Sequence, residues 1–334
     1  MRLSIVVPLL NEQDNLVPLY EQVSAVLRDL GAEYELIFVD DGSTDESAAR
    51  IAALHARDPR VKLLSFSRNF GHQAALSAGL DHATGDGVIS MDADLQHPPD
   101  VIPQLVARWR EGYDVVYTVR QSTDAVGLVL RLVSGAFYRV FRWLSRLDLP
   151  ANTADFRLLD RKVVLALRTL RERTRFLRGL TRWVGYRSIG VPYRARARLS
   201  GTRKYTYRSM FRFALDATLS FSTFPLRLAV YLGALEALLG ILYAIFAFLS
   251  WLLVGNVVPG WTSVIILVAI VGGIQLLLTG IIGLYIGKIY EETKRRPLYI
   301  VREAVGFDTS VEQTTRGDPL LTLHRDTEHD AATL

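Results

Sequence analysis

The sequence contains no cysteine, so disulfide bonds, thiolate metal sites and cysteine nucleophiles are excluded. This absence is compatible with the cytosol but does not identify a compartment. Two glycine-rich nucleotide motifs are also missing. The loop after the first predicted strand reads PLLNEQDN instead of G-x-G-x-x-G, which disfavours a dinucleotide-dependent dehydrogenase, and G-x-x-x-x-G-K-[ST] does not occur. The first residues, MRLSIVVPLL, turn polar too soon for a secretory signal, and we expect them to form a strand.

Composition divides the chain into parts with different character. Its 334 residues exceed one ordinary domain, and half of them are apolar, with the excess concentrated between residues 226 and 289. The net charge is +5, and arginines crowd residues 120–212. A basic zone just before long apolar runs favours an anionic membrane surface, an anionic lipid or a phosphate as the partner, and disfavours nucleic acid.

The first third of the chain alternates between strand and helix patterns. Apolar spacing predicts strands over residues 3–7, 34–39, 61–66, 88–91 and 113–118, and helices over residues 17–30, 47–56, 73–83 and 101–110. Strands that alternate with helices of this length indicate βαβ units. We therefore predict an α/β fold with a mostly parallel, Rossmann-like sheet.

Carboxylates follow two of the predicted strands. Asp40 and Asp41 follow the second strand, and Asp92 and Asp94 follow the fourth. Ligands of open α/β sheets bind where strands end, and a carboxylate there can accept hydrogen bonds from a ribose or a base. Two aspartates at i and i+2 also offer the oxygen ligands that Mg²⁺ or Mn²⁺ shares with substrate phosphates. Together the pairs indicate a nucleotide diphosphate ligand, although each pair alone is more typical of a structural turn.

Four motifs in the first hundred residues read IVVPLLNEQDN, FVDDGSTDES, SRNFGHQAALSAGL and MDADLQHPP. With the later tracts ADFRLLDR, RFLRGLTRWVGY and RLSGTRKYTYRSM, they resemble glycosyltransferase family 2 and its GT-A fold. The resemblance is strongest to the polyprenyl-phosphate branch, which includes dolichol-phosphate mannose synthases and undecaprenyl-phosphate glucosyltransferases. Processive members carry Q-x-x-R-W. This chain has GLTRW, with Gly179 in place of the glutamine, so processive synthesis is disfavoured.

The resemblance implies roles for the residues at matching positions. Those expected to line the nucleotide pocket are Pro8, Asn11, Glu12, Asp40, Asp41 and Asp92, with Asp40 as the contact to the base. Those expected to hold the divalent metal and the sugar diphosphate are Asp92, Asp94 and Gln96.

Later motifs imply residues near the sugar and the acceptor. Asp155 and Arg157 are expected near both, and the residues expected at the acceptor phosphate are Arg175, Arg198, Lys204 and Tyr205. Where the family pattern is R-x-x-G-x-S-K-Y, this chain reads R-L-S-G-T-R-K-Y, with Ser200 before Gly201 and no serine before Lys204, so the serine contact is not carried over. The catalytic set is Asp94, Asp155, Arg157, Arg198 and Lys204.

The implied chemistry suits these residue types. A lipid phosphate is already an anion at neutral pH, since its second pKa is near about 6, and it needs little help from a general base. It needs cations that bring two anionic substrates together, and a metal that stabilises the leaving diphosphate. Asp155 is either a base or a residue that orients an arginine, and we favour orientation. His72 and His97 each follow a turn, and we expect structural or substrate-contacting roles for them.

Two apolar runs, residues 226–254 and 263–289, are long enough to span a bilayer, for which about twenty residues suffice. Basic residues flank both outer ends, so the positive-inside rule predicts cytoplasmic termini and a cytoplasmic catalytic domain over residues 1–224. Residues 125–147 and 207–224 are predicted as amphipathic helices at the membrane surface. Glu236 lies within the first run, where it is either functional or paired with a basic neighbour. Residues 291–334 are predicted to be a partly disordered cytoplasmic tail.

These inferences combine into one functional hypothesis. The resemblance implies an inverting, metal-dependent transfer of a single sugar from a nucleotide-diphosphate sugar, with UDP-glucose as the leading donor, to undecaprenyl phosphate for a cell-envelope glycan. GDP-mannose or a UDP-modified pentose is the alternative donor. The alternative class is a non-catalytic membrane scaffold that retains the nucleotide fold. Two spans that cannot enclose a pocket by themselves favour a homo-oligomer.

Overall fold

The computed structural model describes residues 1–121, 153–173, 175–195, 224–254 and 260–307. Eight strands form one sheet: β1 Arg2–Leu9, β2 Glu33–Asp40, β3 Val61–Phe66, β4 Gly87–Ser90, β5 Val115–Arg120, β6 Thr153–Asp160, β7 Ser188–Tyr193 and β8 Val301–Val305. The helices around it are α1 Leu16–Asp29, α2 Ser47–Arg57, α3 His72–His82, α4 Ile102–Arg110, α5 Arg161–Thr169 and α6 Leu177–Trp183, with a 3-10 turn at Pro99–Val101. Two long helices, α7 Phe224–Val254 and α8 Trp261–Thr293, belong to a second unit.

The strand order in the sheet is β7-β5-β6-β4-β1-β2-β3-β8. Strands β4, β1, β2 and β3 run parallel, as the βαβ alternation predicts, and β7 pairs parallel with β5. Strand β6 enters antiparallel between β4 and β5, and β8 adds antiparallel to the β3 edge. The α/β GT-A fold is confirmed, with a sheet more mixed than the sequence alone indicates.

The central strands are buried on both faces because helices cover them. In β1 and β2 every residue after the first is buried, which is why both read as continuous apolar runs rather than alternating ones. The core packs Leu3, Ile5 and Leu36 against the apolar stripes of the helices, of which Leu19 in α1 and Ile51 in α2 are fully buried. This rigid centre fixes the loops at the carboxyl ends of the strands.

Helices α7 and α8 contact each other and expose most of their apolar side chains. Each contains a stretch long and apolar enough to cross a membrane, Leu226–Ser250 and Ile270–Thr293, and neither stretch is buried within the structure. Both predicted spans are therefore helical, and α8 begins at Trp261, two residues before the predicted boundary. Residues 255–259 of the connection lie outside the described residues.

The chain after α8 departs from the predicted tail. Residues 291–334 were expected to be a partly disordered extension, but α8 continues to Thr293 and Val301–Val305 forms the edge strand β8. The polar composition of this segment concealed a strand, because an edge strand with exposed residues lacks a strong apolar signal. The predicted surface helix 125–147 lies outside the described residues, as does 207–224 except for Phe224, which begins α7.

Candidate active site

Three loops meet at the carboxyl edge of the sheet because β1, β2 and β4 are adjacent parallel strands. Pro8 is buried near the end of β1, and the loop that follows is tied to the β2–α2 loop by side chains from both. Asn11, in a left-handed conformation at φ +55°, accepts a hydrogen bond from the Thr44 N–H at 2.8 Å and donates its own N–H to Ser43 Oγ at 2.9 Å. Glu12 accepts from Asn15 Nδ2 at 2.7 Å.

The Asp40–Asp41 pair is buried and bonded to neighbouring loops. Asp40 is fully buried at the end of β2 and accepts hydrogen bonds from the Ser43 N–H and from Ser65 Oγ, both at 2.9 Å. Asp41 accepts from the N–H groups of Phe70 at 2.7 Å and Gly71 at 3.0 Å. Burial raises the pKa of Asp41, although these N–H donors oppose the shift.

Gly42 follows this pair with φ +77°, and a side chain there would lie 2.6 Å from the Arg68 carbonyl carbon. Glycine at position 42 is therefore needed for the close approach of the β2–α2 and β3–α3 loops. The two aspartates shape the expected nucleotide pocket by fixing these loops.

The D-x-D loop after β4 is shaped by a strained residue and a histidine. Leu95 is buried with φ +59°, a conformation that costs a non-glycine residue of order 1–3 kcal/mol and that tends to occur at functional sites. Asp94 Oδ1 accepts the Gln96 N–H at 3.1 Å, and His97 Nδ1 accepts the Asp92 N–H at 3.0 Å. The His97 ring stacks on Phe156 at 5.3 Å. His97 thus has a structural role, since its Nδ1 lone pair is committed to the loop backbone.

The donor set fits a divalent cation shared with a substrate. Asp92 is partly exposed, Asp94 is mostly buried, and both lie in one tight loop with Gln96. Among the described residues, no three His, Cys, Asp or Glu side chains converge as a complete metal cage. Mg²⁺ and Mn²⁺ are commonly held by one or two carboxylates with waters and substrate phosphates, and this loop offers that arrangement.

A buried ion cluster lies next to the D-x-D loop, because β6 pairs antiparallel with β4 and aligns Arg157 with Ser90. Asp155 receives two hydrogen bonds from Arg178, from Nε to Oδ1 and from Nη2 to Oδ2, each at 2.8 Å. Arg157 Nη2 donates to the same Oδ1 at 2.9 Å, and its Nη1 donates to Thr181 Oγ1. Asp155 is thus tied to two guanidinium groups.

The electrostatics of this cluster keep Asp155 ionised. Burial alone would raise the pKa of Asp155, but Arg178, His72 and Arg157 outweigh it and hold that pKa well below its usual range. Burial lowers the pKa of Arg157 to about 10, against the opposing effect of Asp155, so it stays cationic at neutral pH. A carboxylate with so low a pKa is a poor proton acceptor, which favours the orienting role of Asp155 over the role of a base.

His72 connects the D-x-D loop with the ion cluster. It is the first residue of α3, and its Nε2 lies 3.7 Å from Asp92 Oδ1 and 3.6 Å from Asp155 Oδ2. Burial alone would lower the pKa of His72, but the two carboxylates reverse the shift and raise it. A histidine between two carboxylates is more easily protonated than a free imidazole, so it is suited to stabilising negative charge rather than to accepting a proton.

The predicted site residues are only partly brought together. Asp92 and Asp94 share one loop that His72 joins to Asp155 and Arg157, whereas Arg175 is buried elsewhere and donates to the Leu167 carbonyl at 2.7 Å. Arg178, three positions later, reaches Asp155 instead. Both arginines lie in one basic tract of the sequence. Packing of α6 turns Arg178, and not Arg175, toward the ion cluster. Outside the described residues lie Arg198, Ser200, Lys204 and Tyr205.

Comparison with known proteins shows which family the sequence matches. The family described as Glycosyl transferase family 2 matches residues 4–167. An uncharacterized glycosyltransferase of Synechocystis is 44% identical over 308 residues, 92% of this chain and 97% of that protein. A prophage bactoprenol glucosyl transferase homolog of Escherichia coli is 39% identical over 90% of this chain and 99% of its own length. The bactoprenol glucosyl transferase of Shigella phage SfV is 39% identical over 90% and 98%.

Solved structures are similar at a lower level. Glucosyl-3-phosphoglycerate synthase from Mycobacterium tuberculosis, in complex with uridine diphosphate, superposes with a TM-score of 0.46 at 20% identity and covers 66% of this chain and 79% of that one.

Proposed function

The chain belongs to glycosyltransferase family 2, and from that membership we propose that it transfers one sugar from a nucleotide-diphosphate sugar to a polyprenyl phosphate. The acceptor is supported by relatives named bactoprenol glucosyl transferase, which match almost over their whole length. Those names also support glucose as the sugar. We propose UDP-glucose as the donor and undecaprenyl phosphate as the acceptor. GDP-mannose and a UDP-modified pentose remain the alternative donors.

One observation supports the transfer chemistry most directly. Partly exposed Asp92 lies beside His72, and His72 lies beside the Asp155 carboxylate held by two arginines. Negative groups for a cation and positive groups for phosphates therefore adjoin within one site. Such an arrangement fits a reaction between two anionic substrates.

The proposed mechanism assigns each residue a binding or orienting task. Asp92, Asp94 and Gln96 hold Mg²⁺ or Mn²⁺, which supplies electrostatic stabilisation of the leaving nucleotide diphosphate when bound. Arg178 is 31% exposed in its side chain, whereas Arg157 is buried, so Arg178 is the arginine of the pair better placed to meet an incoming phosphate. Asp155 orients Arg178, and Arg157 stays buried beneath them.

The bond changes follow from an acceptor that is already an anion. A phosphate oxygen attacks the anomeric carbon of the sugar, the bond from that carbon to the diphosphate oxygen breaks, and the configuration inverts. No proton has to be removed from the phosphate, so the mechanism needs no general base. The proposal is thus consistent with an Asp155 that stays ionised and bonded.

Membrane attachment completes the proposal. Helices α7 and α8 are apolar and exposed, and we propose that both cross the cell membrane with the catalytic unit and both termini on the cytoplasmic side. Support comes from the sheet itself, because β3 precedes the two helices in the chain and its partner β8 follows them. Both ends of the helix pair therefore lead to the same unit, which requires an even number of crossings. The homo-oligomer stays a prediction.

The test is a transfer assay with the purified full-length chain in detergent, using labelled UDP- and GDP-sugars, undecaprenyl phosphate and Mg²⁺ or Mn²⁺. We expect one labelled lipid that disappears with chelator. Asp94→Asn should lower transfer by about 100-fold or more, since a metal ligand is lost. Asp29→Asn, an exposed carboxylate at the end of α1, is the matched control and should retain activity.

Three outcomes would contradict parts of the proposal. Transfer that survives chelator would overturn the metal assignment. A labelled lipid from GDP-mannose alone would replace the donor. A folded chain that binds UDP but labels no lipid from any donor would favour the scaffold function over catalysis.

A further inference from the structure

The segment that follows α8 contacts the walls of the expected nucleotide pocket. This return segment, residues 297–307, includes β8 and lies against β3. The Tyr299 ring stacks on Phe66 with centroids 5.1 Å apart and planes 10° from parallel, and its hydroxyl donates to Asp81 Oδ2 at 2.9 Å. The Ile300 carbonyl accepts the Ser67 N–H at 3.0 Å. The segment is therefore anchored at the start of the β3–α3 loop.

A β-bulge in β8 directs the side chain of Arg302 toward Ser65 in β3. Ser65 pairs with Glu303, whereas Phe66 pairs with Val301, so Arg302 is the extra residue on β8. Bulges of this kind re-aim a side chain and are frequent beside active sites. Here the bulge brings Arg302 Nη2 to 3.0 Å from Ser65 Oγ. Arg302 is exposed, while Ser65 is fully buried.

This contact fixes the direction of a hydrogen-bond relay. A serine hydroxyl has one proton to donate and lone pairs to accept. Because Arg302 can only donate, Ser65 accepts from it and gives its own proton to Asp40 Oδ2 at 2.9 Å. Asp40 Oδ1 in turn accepts the Ser43 N–H, which anchors the β2–α2 loop. The relay thus runs from the return segment to the aspartate expected at the nucleotide base.

The same segment supports the loop on the other side of Asp40. Phe66, on which Tyr299 stacks, meets Phe70 edge to face at 5.7 Å. The N–H groups of Phe70 and Gly71 bind Asp41, and His72 follows at once. The return segment after α8 therefore helps to hold both Asp40 and Asp41.

We propose that Arg302 is a positioning residue for the donor nucleotide, acting through Ser65 on Asp40 and so linking the segment after α8 to donor affinity. The inference rests on the proposed function, because it requires a nucleotide at the carboxyl edge of the sheet. It predicts that the part of the chain joined to the membrane helices tunes binding of the donor and leaves the acceptor site unaffected.

The experiment compares full-length wild type, Arg302→Ala, Arg302→Lys and the control Glu303→Gln, the exposed neighbour on the same strand. UDP and GDP affinities are measured by calorimetry, and donor KM, acceptor KM and kcat by transfer. We expect Arg302→Ala to weaken UDP binding and to raise donor KM by about tenfold, as for loss of a charged hydrogen bond, with acceptor KM unchanged. Arg302→Lys keeps a cationic donor and should recover most of the affinity.

A double mutant separates positioning from general stability. If Arg302 acts through Ser65, Arg302→Ala should have little further effect on UDP affinity in a Ser65→Ala background. Additive losses would overturn the relay, as would an equal donor affinity of Arg302→Ala and wild type. Arg302→Met, which keeps the length and removes the donors, replaces Arg302→Ala if that variant fails to fold. Wild type that binds neither UDP nor GDP would instead overturn the proposed function, and this inference with it.

Discussion

Asp155 has its carboxylate oxygens committed to three groups, the guanidinium groups of Arg178 and Arg157 and the nearby ring of His72. Its pKa is well below the usual range, so its ionised form stabilises the folded state. That contribution is fully present above the pKa of an unfolded aspartate, about 3.9, and is lost as pH falls from there through the lower folded value. Between pH 5 and 8 the group does not titrate.

A pH–rate profile separates the two roles of Asp155. We expect Asp155→Asn to lower kcat by about 100-fold at every pH between 5 and 8, because Arg178 loses the partner that orients it. The one change of shape we expect is a shift toward lower pH of any limb that His72 contributes, because the Asp155 carboxylate helps to raise the pKa of His72. The measurement is kcat against pH for both proteins, with Asp29→Asn as control. Complete loss of an acidic limb in the variant, rather than its shift to lower pH, would show that Asp155 is a base after all.

Arg175 and Arg178 show the limit of reasoning from single residues. Both belong to the tract RFLRGLTRW, but only Arg175 was expected at the acceptor phosphate. The structure buries Arg175 against the Leu167 carbonyl and turns Arg178 to Asp155. Arg175 precedes α6 and Arg178 lies in its first turn, and the Leu177 N–H bond to Gln73 Oε1 helps to fix the start of this helix.

Helix α3 begins with His72, and Gly79 sets how closely this helix packs on the sheet. At Gly79 the backbone of α3 approaches β1 so closely that an added Cβ would overlap Val6 Cγ1. Val6 is fully buried in a central strand and has no space to move into. A bulkier residue at position 79 would therefore displace the helix and the histidine at its start.

Gly79→Ala tests this packing. Although alanine favours helices by about 1 kcal/mol over glycine, we expect the overlap to destabilise the protein by about 2 kcal/mol. In a Val6→Ala background, which removes the overlapping methyl group, the same substitution should cost under about 1 kcal/mol. The measurement is the free energy of unfolding of the catalytic unit in full-length protein in detergent. Equal costs in both backgrounds would show that the contact does not limit the helix position.

At the scale of the whole molecule, the catalytic unit is discontinuous in sequence. Its sheet is built from strands before α7 and from β8 after α8, so the helix pair is an insertion within one folded unit. If both helices cross the membrane, residues on either side of the insertion must face the same compartment. The connection between the helices must face the other.

The absence of cysteine makes this arrangement directly measurable. Single cysteines are introduced at Glu33, at Glu291 near the end of α8, and at Asn256 between the helices. We expect a membrane-impermeant maleimide to label Asn256→Cys in intact cells, and to label Glu33→Cys and Glu291→Cys only after permeabilisation. Labelling of Glu33→Cys and Glu291→Cys from opposite sides would be incompatible with the β3–β8 pairing and the proposed topology.

The sequence alone determined the α/β class, the strand and helix alternation of the first third, the D-x-D loop and the two apolar helices. These features depend on local periodicity and on short motifs, which a single chain displays directly. Tertiary structure decided that β6 runs antiparallel beside β4, that Arg178 and not Arg175 reaches Asp155, and that the segment after α8 closes the edge of the sheet. Each of these depends on contacts between residues far apart in the chain, and for these the local pattern carries no signal.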